Sequence, residues 1–305
     1  MIKSITVTNY LGDSIKLDLA RPELSGFAVT SVTGLGPGKA TINTTEMSTA
    51  DGGAFNSSRL PSRNIVISLK YLWKNSIEDA RQRSYKYFPI KKKVTLLIET
   101  DNRKAEIEGY VESNDPAIFS KSEGSDISIV CPNPFFYSAG SDGVQTTIFN
   151  NLIPLFEFPF SNESLTEAEI EMGSVDTRIS GQTIPYKGDA EIGVTITIHA
   201  IGDASNVSIH NTRTGEVMRI DTNKLAAFIG SGIIAGDDIV ICTVKGNKSV
   251  SLIRDGETIN ILNCLDKNPN WFQLTKGDNI FVFTADNGAN NLQIVFTNRT
   301  IYEGV

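Results

Sequence analysis

The sequence predicts a mainly β protein: an N-terminal β-sandwich or α+β domain with one helix and an extended hairpin, followed by an antiparallel β-sandwich. Three observations lead there. Ile, Val and Thr make up about a quarter of the 305 residues, and β-branched side chains favour pleated, half-buried surfaces. Apolar and polar residues alternate with period two in many short runs, and turn signals separate those runs.

In the first half the alternating runs are Ile5-Thr-Val7, Ile65-Val-Ile67-Ser-Leu69, Val94-Thr-Leu96-Leu-Ile98 and Ile127-Ser-Ile129. Residues 31–60 read differently. Gly34-Leu-Gly-Pro-Gly38, a Thr/Asn-rich stretch and Asp51-Gly-Gly-Ala-Phe-Asn-Ser-Ser58 offer little to bury, so they are expected to form an extended arm or hairpin. Its unpaired backbone groups call for a neighbouring chain, and oligomerisation follows as an expectation. One helix is predicted: Asn75 caps Asn-Ser-Ile-Glu78, and Ile77, Ala80, Ser84, Tyr85 and Phe88 recur on one face until Pro89.

The second half supplies Val194-Thr-Ile196-Thr-Ile198, Ile239-Val-Ile241-Cys-Thr243, Ile259-Asn-Ile261 and Leu292-Gln-Ile294-Val-Phe296. Hairpin signals at Thr214-Gly215, Lys245 to Lys248 and Asp255-Gly256 space these runs as in a sandwich. Charge divides the chain too. Residues 1–140 hold 17 Lys/Arg and 15 Asp/Glu, a net +2, and residues 141–305 hold 11 and 20, a net −9; together they give the overall −7. With Pro132, Pro134 and the Gly/Ser/Asp cluster ending at Gly143, this places two domains at 1–140 and 141–305, with the boundary at about 138–150.

The acidic balance argues against affinity built on nucleic-acid phosphates. No signal peptide and no membrane-crossing run of about 20 apolar residues is expected. Cys131, Cys242 and Cys264 form no CxxC pair and are expected as buried thiols. The sequons at Asn43, Asn56 and Asn298 mark only loop-rich polar sequence.

No catalytic constellation, metal site or cofactor site emerges. Gly38-Lys39 is followed by Ala40 where a phosphate-binding loop needs Ser or Thr. His199 falls on the polar face of its strand and His210 beside a polar turn, and neither has a ligand cluster in sequence. Glu163, Glu167, Glu169 and Glu171 invite comparison with a glycosidase pair, but the last three alternate with Ala168, Ile170 and Met172, as on the solvent side of an edge strand. Lys91-Lys-Lys93 reads as a solvated strand start. Trp271 beside Gly277-Asp-Asn279 offers a sugar-stacking platform, although packing of Trp271 or Phe272 into the core accounts for the pair as well.

Asp51-Gly-Gly-Ala-Phe, Arg63-Asn-Ile65, Ile77-Glu-Asp-Ala-Arg81, Phe88-Pro-Ile-Lys91, Arg103, Gly109-Tyr-Val-Glu112 and Cys131-Pro-Asn-Pro-Phe135, in that order, resemble the N-terminal domain of siphophage distal tail proteins, the baseplate hub family. Gly236-Asp-Asp-Ile239, Lys248-Ser-Val250, Asp255-Gly256, Trp271-Phe-Gln-Leu274, Gly277-Asp-Asn279 and Tyr302-Glu-Gly-Val305 resemble its longer members. The resemblance implies a non-enzymatic virion component of the phage or prophage tail tip, made in the host cytoplasm. Its N-terminal domains would close into a homo-hexameric ring, with a β-hairpin belt around neighbouring subunits, joining the tail tube protein to a tail-associated hub protein. A galectin-like C-terminal domain would point outward, where a receptor-binding protein docks. No cofactor, membrane or specific nucleic acid is implied. The alternatives are a carbohydrate-binding or receptor-binding tail component and, more remotely, a wall glycosidase.

Overall fold

The computed structural model describes residues 1–46, 51–72, 76–120, 122–140, 143–149, 152–154, 173–175 and 181–305. The chain divides into two compact units, Met1–Gly143 with Ile301–Val305, and Val144–Thr300.

The first unit contains β1 (Ile2–Asn9), β2 (Ser14–Asp18), β3 (Phe27–Thr33), β4 (Thr41–Glu46), β5 (Gly53–Arg59), β6 (Arg63–Tyr71), α1 (Ile77–Tyr87), β7 (Lys93–Thr100), β8 (Lys104–Pro116), β9 (Gly124–Cys131) and β10 (Phe136–Ser138), together with the short strand Ile301–Tyr302. Its sheet runs β2-β1-β7-β8-β9-β6-β3 with antiparallel neighbours. The long strand β8 pairs with a different neighbour along each half. Lys104 to Tyr110 pair with β7, and Tyr110 to Pro116 pair with β9, with a register shift between Val111 and Ser113. Such a bulge bends a strand and increases its local twist. Gly109, just before that bulge, has no room for a side chain: a Cβ there would lie 2.6 Å from Ile129 Cγ2 and 2.8 Å from Cys131 Sγ.

The alternating runs bury one side of each strand: Ile5, Val7, Ile65, Ile67, Val94, Leu96, Ile98, Ile127 and Ile129 are all at or below 1% exposure in one cluster. Burying chains of this size contributes about 1.5–3 kcal/mol each. Helix α1 is capped by Ser76, whose side chain accepts from Glu78 N, one residue later than the expected Asn75, which lies outside the described residues. A hydroxyl one position nearer the first turn reaches the same donor. Ala80 and Ser84 face inward, and Phe88 is buried at the C-cap. Tyr85 instead is exposed, because it falls about 100° round the helix from Ser84. Asn114 Nδ2 donates to Ser84 Oγ at 3.1 Å, and Asn114 Oδ1 accepts from Ser125 Oγ.

The second unit contains β11 (Val144–Phe149), β12 (Leu152–Pro154), β13 (Gly173–Val175), β14 (Gln182–Tyr186), β15 (Ile192–Gly193), β16 (Thr195–Ala200), β17 (Ser208–Asn211), β18 (Glu216–Arg219), α2 (Thr222–Ile229), β19 (Asp238–Cys242), β20 (Ser249–Arg254), β21 (Glu257–Asn260), β22 (Gln273–Leu274), β23 (Gly277–Thr284) and β24 (Leu292–Arg299). A six-stranded sheet, β11-β24-β16-β19-β20-β21, and a four-stranded sheet, β14-β23-β17-β18, form the sandwich. They meet through aromatic rings: Phe149 lies 4.7 Å from Phe283, Phe281 lies 4.8 Å from Phe296, and Phe272 lies edge-on 5.5 Å from Phe281. Asp255 (φ 52°) and Gly256 (φ 81°) form the expected two-residue hairpin between β20 and β21.

Two features depart from the sequence reading. A second helix exists: Asp221 caps α2 by accepting from Asn223 N at 2.9 Å and Lys224 N at 3.2 Å, and Gly230 ends it in the left-handed conformation. Residues Ile301–Val305 return to the first unit, where Ile301 and Tyr302 pair with Tyr137 and Phe136.

A buried ion pair fastens the loop after α2. Arg254 grips Asp237 bidentately at 2.7 and 2.6 Å, Asp237 is 1% exposed, and its Oδ2 also accepts from Ile234 N.

Candidate assembly surface

The expected arm is present as a separate hairpin, β4 paired with β5. Ala54 alone among the residues of the two strands is partly buried; the others are exposed. Its two faces differ. Asn43 Nδ2 donates to Ser57 Oγ at 3.0 Å and Asn56 Nδ2 to Thr45 Oγ1 at 2.6 Å, so polar side chains satisfy one another. Ile42 and Thr44 point the opposite way from Asn43 and Thr45, and Phe55 pairs opposite Thr44. That face therefore carries Ile42 at 62% and Phe55 at 65% exposure. A two-stranded ribbon in water is marginal alone, and an apolar pair on it marks a contact surface.

The arm's roots are firmly held. Gly34, before β4, has φ +84°, and any side chain there would collide with the Asn64 carbonyl oxygen. Arg63, just after β5, donates through Nε to Pro134 O at 2.7 Å, through Nη1 to Gly34 O at 2.7 Å and also to Gly36 O, and through Nη2 to Glu303 O at 2.6 Å. Its guanidinium lies over the Phe136 ring at 4.7 Å. Burial holds its pKa below the ordinary arginine value, opposed by Cys131 and Glu303. Carbonyl acceptors compensate a buried cation without a partner carboxylate. Val305 N donates to Leu35 O at 3.1 Å, and Arg103 donates to Gly304 O and stacks on Tyr302 at 4.3 Å. Arg63, Arg103, the Cys131-to-Phe135 stretch and Tyr302 to Val305, scattered in the sequence, thus converge on one place.

The other sequence candidates stay apart. A strand, not a helix, follows Gly38-Lys39, so no phosphate cradle exists there. His199 Nδ1 lies 2.7 Å from Asp238 Oδ1 across β16 and β19, a partner the sequence did not announce. His210 Nε2 lies 3.2 Å from Thr284 Oγ1. No group of three or more His, Cys, Asp or Glu side chains placed to hold a metal occurs among the described residues. Phe272 is the core residue of its pair, and Lys248 Nζ sits 5.2 Å over the Trp271 ring. Glu163, Glu167, Glu169 and Glu171 lie outside the described residues. The three cysteines are free and buried. No helix among the described residues is long and apolar enough to cross a membrane.

Residues 187–299, most of the second unit, match the family model described as siphovirus-type tail component, C-terminal domain. The chain also has the fold of a solved structure, the SPP1 Dit protein, presented as a paradigm of the hub adsorption apparatus of phages infecting Gram-positive bacteria. The two share 14% identity over 96% of this chain and 98% of that one, with a TM-score of 0.62. Chains of the phage P2 baseplate in its activated conformation, with Ca or with Sr, align over 98% and 97% of this chain and 99% and 98% of theirs, at 14% and 12% identity and TM-scores of 0.46 and 0.43. No curated protein matches the sequence. The chain thus has a Dit-like fold, and its described residues are mainly β.

Proposed function

We propose that this tail component works without catalysis, as a structural part whose first unit closes into a hexameric ring joining the tail tube to the tip, with the β4–β5 arm laid on the neighbouring subunit. The second unit is a galectin-like module that receives the adsorption apparatus. The observation that carries this reading is the arm: an exposed ribbon with Ile42 and Phe55 on one face, anchored at its roots by Arg63. A fixed root with an uncovered apolar ribbon suits a heterologous contact, which repeats from subunit to subunit until the ring closes.

Electron microscopy of the purified chain, alone and with tube and hub proteins, tests it. Sixfold rings are expected, and I42D/F55D should abolish them while leaving the thermal unfolding of the monomer within about 1 kcal/mol, as for surface changes. A strictly monomeric wild-type particle in both settings would refute the ring. Carbohydrate binding at Trp271 has weaker support, since Lys248 already occupies a face of the indole ring.

A further inference from the structure

The turn between β1 and β2, the segment joining α1 to β7, and the middle of β8 form one surface of the first unit. Asn9 is the strand partner of Val94, which brings the following Tyr10 beside Lys93, and Lys93 is in turn the partner of Tyr110. Tyr10 is 53% exposed, Leu11 69%, Ile90 46% and Tyr110 48%. Four lysines surround them. Lys92 Nζ lies 5.3 Å over the Tyr10 ring. Lys86 pairs with Asp13 at 3.2 Å and Lys93 with Glu108 at 2.8 Å. Lys91 and Lys92 have no carboxylate partner among the described residues. The scaffold beneath is fixed: Lys91 N donates to Val111 O at 2.8 Å, Lys92 O accepts from Val111 N at 3.2 Å, Lys91 adopts φ 64°, and Asn9 Nδ2 donates to Lys86 O at 3.0 Å.

We infer that Tyr10, Leu11, Ile90 and Tyr110, rimmed by Lys86, Lys91, Lys92 and Lys93, dock a carboxylate-rimmed face of a second, different tail protein. The inference rests on the tail-component reading. Aromatic and aliphatic side chains gathered on a surface characterise interface cores, and the unpaired Lys91 and Lys92 beside them steer a partner of opposite charge. Nucleic acid fits less well: Leu11 and Ile90 offer nothing to a phosphate, two of the four lysines are already neutralised, and the chain carries −7 overall. A self-complementary contact between two copies fits less well too, because it would bring the unpaired Lys91 and Lys92 of both copies together.

The test is genetic and structural, in a phage carrying this gene. K91E/K92E, and separately Y10S/Y110S, should lower the yield of joined infectious particles about tenfold or more, while the purified variants keep wild-type self-assembly and unfolding temperature. Second-site revertants of K91E/K92E should replace Asp or Glu by Lys or Arg in another tail gene. Normal particle yield from both variants overturns the inference, as do revertants that map only within this chain, or loss of self-assembly, which would make the surface a contact between copies. Deletion of the gene separates the two readings: intact particles without it would overturn the tail-component reading itself, whereas intact particles from the surface variants alone overturn only this docking site.

Discussion

Arg63 Nη2 donates to the carbonyl oxygen of Glu303, at a separation of 240 positions in the sequence. The same guanidinium holds Pro134, Gly34 and Gly36, so one side chain ties the arm's first root, the end of the first unit's chain and the returning residues together.

Replacing it is expected to be costly. R63M removes the donors of four carbonyl bonds, and a buried acceptor left bare costs about 1–3 kcal/mol. Urea unfolding should show a loss of about 3 kcal/mol or more, with faster proteolysis between residues 36 and 62. R63K should recover little, because an ammonium cannot reproduce the planar fork. A wild-type unfolding midpoint for R63M would contradict this account.

The second unit has its own sensitive point at Asp237 and Arg254. R254L leaves a carboxylate buried without its partner, and thermal unfolding should report a loss of about 3–5 kcal/mol. Pairing the change with D237N should return part of it, since the stranded charge is then gone.

Acid should weaken the first unit through Glu99. Hydrogen bonds from Lys16 and then Ser4 pull its carboxyl down to about 2. A depressed carboxyl pKa contributes stability that is complete above the unfolded-state value of about 4.3 and is lost as pH falls toward 2. E99Q should therefore flatten the fall in stability between those limits. An unchanged acid limb would remove Glu99 from the account.

The thiols should be inert in the native state. Burial pushes Cys131 up to about 11, against the pull of Arg63, and raises Cys264 as well. Thiolate is the reactive form, so labelling at pH 8 should fail with folded protein and reach all three cysteines in denaturant. Rapid native labelling of Cys131 would disprove its burial.

What could be read in the sequence follows from what leaves a mark in residue type. Burial alternates along Ile65, Ile67 and Leu69, and again along Val194, Ile196 and Ile198, so period two exposes those strands. The arm shows itself by lacking anything to bury. Arg63's acceptors leave no such mark, because they are backbone carbonyls of Gly34, Gly36, Pro134 and Glu303, which any residue supplies. Helix α2 is only eight residues long, too few for a clear 3.6 period; its real signals are the cap Asp221 and Gly230. The exposure of Tyr10, Leu11 and Tyr110 depends on which strands lie side by side, and local sequence does not state that.

Val144, where the second unit starts, is the strand partner of Arg299, near its end. A guest domain whose entry and exit lie side by side asks nothing of its host but two adjacent attachment points. Evolution is thus free to exchange, enlarge or trim it, while the host keeps its own architecture intact.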